Sequence, residues 1–289
     1  MWERELGELV SLARNQHGLA TPAQVARLGI SAEGLTHLMD MSLVERFPNG
    51  TYYLSYTDRV GTIYQQSYED WLSLEPHETS YERRKNELNA VMSHGGAARL
   101  HRIGKYVGAR SHFTVRNDRE ALPNITFTVA EIPKTEVMRV EGVPVTTPLR
   151  TIADLVVECG GGAPERLVSD AAHLDLVDLR ELLAYMIPLA TKVRYPFPIH
   201  GRAFIEYFAP DLHLGSLSPR NVRSATAMMF PQQVEDMLPE ARRLLHSTRS
   251  IVLGSAADEK TVTDELVANL AADIVSQSLW PDIKDRSIV

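Results

Sequence analysis

One cysteine, Cys159, stands in 289 residues, and that scarcity removes two architectures at once. No intramolecular disulfide can form and no multi-cysteine zinc site can be built. Long apolar runs are missing too. The longest strongly apolar stretch, Leu182 to Ala190, is nine residues and contains Pro188, far short of the roughly 20 residues that span a membrane. The opening MWERELGELV mixes charges with apolar residues and lacks the apolar core of a signal peptide. These absences predict a cytoplasmic protein with no membrane partner.

Recognisable catalytic constellations are equally scarce. Gly160-Gly161-Gly162 is not followed by the Lys-Ser/Thr of a phosphate-binding loop and reads as a helix stop. Cys159 has no histidine or second cysteine beside it. His94 and His101 lie seven apart with no carboxylates at ligand spacing, so they read as packed or capping side chains. Thr147 before Pro148 reads as an N-cap with proline at the first helical position. The expectation is no enzyme: no catalytic residue, no metal and no cofactor.

What the sequence does have is enough chain for two or three domains and enough apolar residues, 44%, for each to bury a core. The net charge of −7 argues against a nucleic-acid partner, but its distribution is uneven. Residues 82–119 carry nine bases and three acids, a block of +6 inside an otherwise acidic chain.

The first fifty-odd residues are the most informative. Residues 3–16 set Leu6, Leu9, Val10 and Ala13 at helical spacing. Thr21-Pro22 caps a second helix that stops at Gly29, and Ser31 caps a third that runs to about Met41. Leu43–Phe47 and Thr51–Leu54 then alternate on either side of Pro48-Asn49-Gly50, a hairpin signal. Three helices with a tight turn, followed by a hairpin, predict a winged helix-turn-helix.

Downstream, 58–80 reads as a connecting segment with a helix around Tyr64–Leu74. Helices are expected over Arg83–Met92 and Gly95–His101, and strands over His112–Val115 and Ile125–Val129. A hairpin at Val137–Val145 and helices from Pro148, Pro164 and Leu176 complete this part. A proline-rich stretch at 187–201 suggests a boundary, and the remainder reads as helical, with Val262, Leu266, Leu270 and Ile274 as the apolar stripe of the last helix. The expected class is α+β: a winged helix-turn-helix at 1–57, a connector at 58–80, a mixed α/β domain with a small sheet at 81–190, and a helical region at 191–289.

Several blocks carry a family likeness: HGLATPAQVARLGIS at 17–31, LVERFPNGTYYL at 43–54, VMSHGGAARLHRIG at 91–104, GVPVTTPLRTIADLV at 142–156 and APERLVSDAAHLDLVDLREL at 163–182. In this order and spacing the chain resembles the AbiEi-type antitoxins of bacterial type IV toxin–antitoxin systems, over roughly residues 1–186. The resemblance implies a transcriptional repressor that autoregulates its own operon and antagonises a nucleotidyltransferase-like toxin.

DNA binding needs phosphate neutralisation for affinity and base-edge contacts for sequence choice. On this reading the third helix enters the major groove of an operator upstream of the operon, and the hairpin touches the backbone. Ser31, Glu33, Thr36 and His37 are the candidates for bases. Arg27, Arg46, Asn49, Gly50 and Thr51 are candidates for phosphates, and Arg83, Arg84, Lys85, Arg99, Arg102 and Lys105 would supply further positive charge beside the winged helix. One feature departs from strong DNA readers: residues 31–39 contain no Arg or Lys. The alternative therefore stays open that this module docks a protein, neutralising a toxin or assembling a complex without DNA.

Overall fold

The computed structural model describes residues 2–47, 50–55, 62–85, 89–105, 110–253 and 263–280. The chain is α+β and divides into two units, one of residues 1–102 and 107–151, the other of 103–106 and 152–289.

The first unit begins with α1 (Trp2–Arg14), β1 (Leu19–Ala20), α2 (Pro22–Arg27), α3 (Ala32–Asp40), β2 (Val44–Arg46) and β3 (Tyr52–Leu54). The three strands form an antiparallel sheet in the order β1-β3-β2. Two-residue β1 is too short to leave a periodic signal in sequence; it exists because Leu19 and Ala20 pair with Tyr53 and Tyr52. Leu9, Ala13, Val25, Ile30, Leu38, Val44 and Leu54 meet in one core between helices and sheet.

Next come α4 (Thr62–Ser73) and α5 (Ser80–Lys85). Residues 58–80 are expected to be a connector, yet within their described part Tyr68, Trp71 and Leu72 are buried. They share a core with Leu19 and Tyr53 on one side and a second sheet on the other, so this segment is interior structure. That second sheet comprises β4 (Ala90–Met92), β5 (Ser111–Val115), β6 (Ile125–Val129), β7 (Val137–Val140) and β8 (Val143–Thr146), in the order β6-β5-β4-β8-β7. α6 (His94–His101) follows β4.

The expected helix over Arg83–Met92 is a correction. It ends as α5 at Lys85, and Ala90–Met92 is the central strand, antiparallel to β5 and parallel to β8. Pairing on both edges outweighs a short segment's local preference. The β7–β8 hairpin matches expectation: Glu141 and Gly142 both have positive φ, as a two-residue hairpin turn requires.

The division between units falls inside α7 (Pro148–Glu158), between Thr151 and Ile152, rather than at the proline-rich stretch near 190. In the second unit α8 (Leu167–His173), α9 (Leu179–Met186), α10 (Gly201–Phe208), α11 (Pro219–Met229), α12 (Pro231–Leu253) and α13 (Asp264–Leu279) form a helical body. Phe197 is buried and packs edge-on against Phe208, which keeps the proline-rich segment part of this unit. Buried Asn221 donates to the Ala172 and Val177 carbonyls and accepts from the Leu179 amide, joining α11 to the loop before α9.

The expected stripe of the last helix is met in part: Leu270 and Ile274 pack half-buried against its core, but the most buried residues lie beside them. Val267, Ala271 and Val275 face the α12 residues Val234 and Ala241, while Leu266 is 48% exposed. Small residues permit a close approach there, and the larger leucine turns outward. Val262 lies outside the described residues. Among the described residues no helix is long and apolar enough to cross a membrane.

Candidate nucleic-acid interface

Local chemistry fixes the entry and exit of the two short helices. At α2 a complete capping box operates: the Thr21 side chain accepts from the Gln24 amide, and the Gln24 side chain accepts from the Thr21 amide. Gly29, at φ +72°, supplies the left-handed turn between α2 and α3. Ser31 then caps α3 by accepting from the Gly34 amide at 3.0 Å.

Leu38 is fully buried, with Leu35 and Met39 beside it, so one side of α3 is anchored in the core. Ser31, Ala32, Glu33, Thr36, His37 and Asp40 are exposed. The hydroxyl of Thr36 donates to the Ala32 carbonyl at 2.9 Å, which orients its lone pairs outward. Gly34 sits where the Glu5 carboxylate of α1 crosses, 2.4 Å from the place a Cβ would occupy.

The hairpin between β2 and β3 is closed by two backbone bonds, from Phe47 to the Thr51 carbonyl and from Gly50 to the Phe47 carbonyl. Gly50 has φ +90°. Phe47 stacks on Tyr53 at 5.9 Å, and the exposed Arg46 lies over the Tyr52 ring. Asn49 lies outside the described residues. Thr51 is only 5% exposed, so its side chain does not offer itself to a phosphate; its β-branched body packs the base of the hairpin.

The basic residues correct a second expectation. Most of them are committed to the protein itself. Arg27 forms a two-pronged bond to Glu82, at 2.7 and 3.1 Å, and a third to the His77 carbonyl. The same contact lowers the Glu82 pKa to about 2, through the Arg27 hydrogen bond first and the Thr79 amide second. Arg83 lies 4.0 Å over the Trp71 ring and donates to the Trp71 carbonyl. Burial pulls its pKa down to about 10.

Arg99 donates to the Arg110 carbonyl and to Ser111 Oγ. Arg102, at the left-handed end of α6, donates to the Tyr64 hydroxyl at 2.8 Å and covers that ring. Lys105 belongs to the second unit and pairs with Glu165 at 3.2 Å. Arg46, Arg84 and Lys85 are exposed, as are Arg27 and Arg102 despite their contacts, and Lys85 lies 4.3 Å over Tyr81. Positive charge in sequence is spent on aromatic faces and carbonyls, groups a composition count does not see.

Two histidines define a half-buried polar seam that sequence spacing did not reveal. His94 and His112 stack at 3.9 Å with planes 9° apart. His94 Nδ1 bonds Ser93 Oγ, which also accepts from Thr114, and His112 Nε2 bonds Thr128 Oγ1. Burial lowers both pKa values to about 4, helped at His94 by the nearby Arg150 and at His112 by His94. Both rings are therefore neutral near pH 7. His101 is a packed histidine as expected, bonded to the Thr146 carbonyl at 2.7 Å.

No protein-family model matches the chain, and a search of curated proteins finds no match. Among solved structures the RV2827C protein from Mycobacterium tuberculosis is similar over 79% of this chain and 76% of its own, with 10% identity and a TM-score of 0.37. A likeness at that level carries no argument about function.

Proposed function

We propose that this chain is a DNA-binding transcriptional repressor whose residues 1–57 act as a winged helix-turn-helix, and that it is the antitoxin of a type IV toxin–antitoxin operon. It would occlude its own promoter and antagonise a nucleotidyltransferase-like toxin, with no chemistry performed by the chain itself. One observation carries the DNA-binding part: α3 is capped, anchored by Leu38, and exposes Glu33, Thr36 and His37 in the same body as the β2–β3 hairpin. A helix seated in a major groove needs that combination of rigid support and reachable outer side chains. The antitoxin part rests on the sequence blocks at 17–31, 91–104 and 142–182.

The test is a mobility-shift titration of the full chain with the DNA upstream of its gene, at 50 and 200 mM salt. Sequence-selective binding that weakens with salt is the expected result. Thr36→Ala with His37→Ala should weaken specific binding at least tenfold, the scale of one or two lost base contacts. Absence of any shift at 50 mM salt would remove the repressor reading.

A protein-docking module is the second reading. It is favoured by the lack of Lys and Arg on α3 and by the engagement of Arg27 with Glu82. It predicts that the same double substitution abolishes capture of the toxin while no duplex is bound.

A further inference from the structure

We propose that a basic cleft on the second sheet of the first unit binds a phosphate-bearing ligand of nucleotide size. The cleft encloses about 340 Å³ and draws its lining from α5, β4, β5, the segment after β6, and β7. Small-molecule sites begin near this volume, at about 300 Å³. Four cationic side chains line it: Arg84 of α5, Arg116 just beyond β5, Lys134 ahead of β7, and Arg139 within β7. Ile132 and Val137 supply an apolar wall. Among the described residues that line it none is acidic.

Gathering four like charges is unfavourable in itself, and this chain carries 37 acids against 30 bases from which to balance them. The strain registers at Arg139, whose pKa is lowered by burial and then by the neighbouring Arg84. The β7–β8 turn brings two of the cations together. Arg139 Nη1 donates to the Gly142 carbonyl at 2.9 Å. Arg84 Nη2 lies 3.2 Å from where a Cβ on Gly142 would be, so the glycine leaves the second guanidinium its place. Two guanidinium forks held at one turn suit the oxygens of adjacent phosphates. The apolar wall then suits a nucleobase.

The inference does not rest on the repressor reading: Arg84 is shared with the candidates for DNA, but none of these residues lies on α3 or the β2–β3 hairpin. Isothermal titration of the full chain at 50 mM salt, with ATP, pyrophosphate and adenosine as probes, tests it. ATP and pyrophosphate should bind saturably at one site per chain, and adenosine at the same concentration should not. Arg84→Ala with Arg139→Ala should weaken ATP binding at least tenfold. Lys134→Gln, at an exposed position that leaves the turn intact, should weaken it severalfold. Arg202→Ala, in the second unit, should leave it unchanged.

No saturable binding of ATP or pyrophosphate, or unaltered affinity in both cleft variants, would overturn the proposal. Loss of duplex binding in those variants without any nucleotide binding would also overturn it and reassign the cleft to nucleic acid. Failure of promoter binding alone would leave nucleotide binding, and this inference, intact.

Discussion

Arg83 and Arg84 are neighbours in sequence with different environments. Arg83 covers Trp71 and bonds its carbonyl, whereas Arg84 reaches the basic cleft at Gly142. Replacing Arg83 with alanine removes a desolvated cation–aromatic contact and takes one of two donors from the Trp71 carbonyl, which keeps the Leu74 amide. Together these should lower stability by about 2 kcal/mol, read as a shift of the urea midpoint. Arg84→Ala should shift that midpoint by less than half as much. Equal shifts would contradict the structural role given to Arg83. The sequence marked both residues as one basic run, because the identity of a side chain says nothing about which aromatic face it will find.

At the scale of elements, α3 carries a glycine in its interior at position 34, where most residues would favour the helix more. Alanine there gains helix propensity of up to ~1 kcal/mol. The atoms nearest its Cβ are the end of the Glu5 side chain and the Ser31 hydroxyl, and the carboxylate of Glu5 can swing away. Gly34→Ala should therefore raise the thermal midpoint slightly. A drop of several degrees would mean that the α1–α3 contact at this point is rigid. The β7–β8 turn behaves in the opposite way. Gly142, at φ +85° with Arg84 close by, should be destabilised by alanine. A urea denaturation midpoint for Gly142→Ala at or above that of the parent would contradict this.

Most elements with a strong period or a clear cap were legible: α1, the Thr21 and Ser31 caps, the β7–β8 hairpin, α7, α8, α9 and α13, and the helical character of the stretch between α9 and α13. β1 and β4 were not, since strands of two and three residues carry too little pattern and exist through their partners. The stripe on α13 was placed only in part, with Leu270 and Ile274 beside the buried centre, because alanine packs closely yet contributes little to an apolar periodicity.

At the scale of the whole molecule, acid should destabilise the fold in two windows. His94 and His112 have folded-state pKa values near 4 against an ordinary value of 6.5. The unfolded chain therefore takes up their protons first, and the stability their neutral forms contribute is full above pH 6.5 and falls as pH drops toward 4. Glu82, held to about 2, contributes above its ordinary value of 4.5 and loses that contribution as pH falls through 2. Denaturation midpoints measured from pH 8 to 3 should show the first decline. His94→Asn with His112→Gln should flatten it between pH 6.5 and 4 while leaving the Glu82 window in place. An unchanged slope in that variant would mean that other groups titrate there. Arg150 is the cation near His94, and its 2.5 Å pair with Glu136 keeps its charge partly compensated.

The amino-acid order by itself determined the α+β class, the capped helix at Ser31 with its hairpin, and the candidate side chains Thr36 and His37. These depend on local rules, such as which residue caps, which turns and which period repeats, and local rules act between near neighbours in the chain. Only tertiary structure decided which bases of the basic block are engaged by carbonyls, aromatic rings and carboxylates of the protein itself. It alone revealed that Tyr68, Trp71, Leu72 and Leu74 belong to a core, that two histidines 18 positions apart stack, and that four cations from distant segments line one cleft. Burial and the proximity of charges are properties of the folded surface, and they arise from contacts between residues that sequence spacing leaves unrelated.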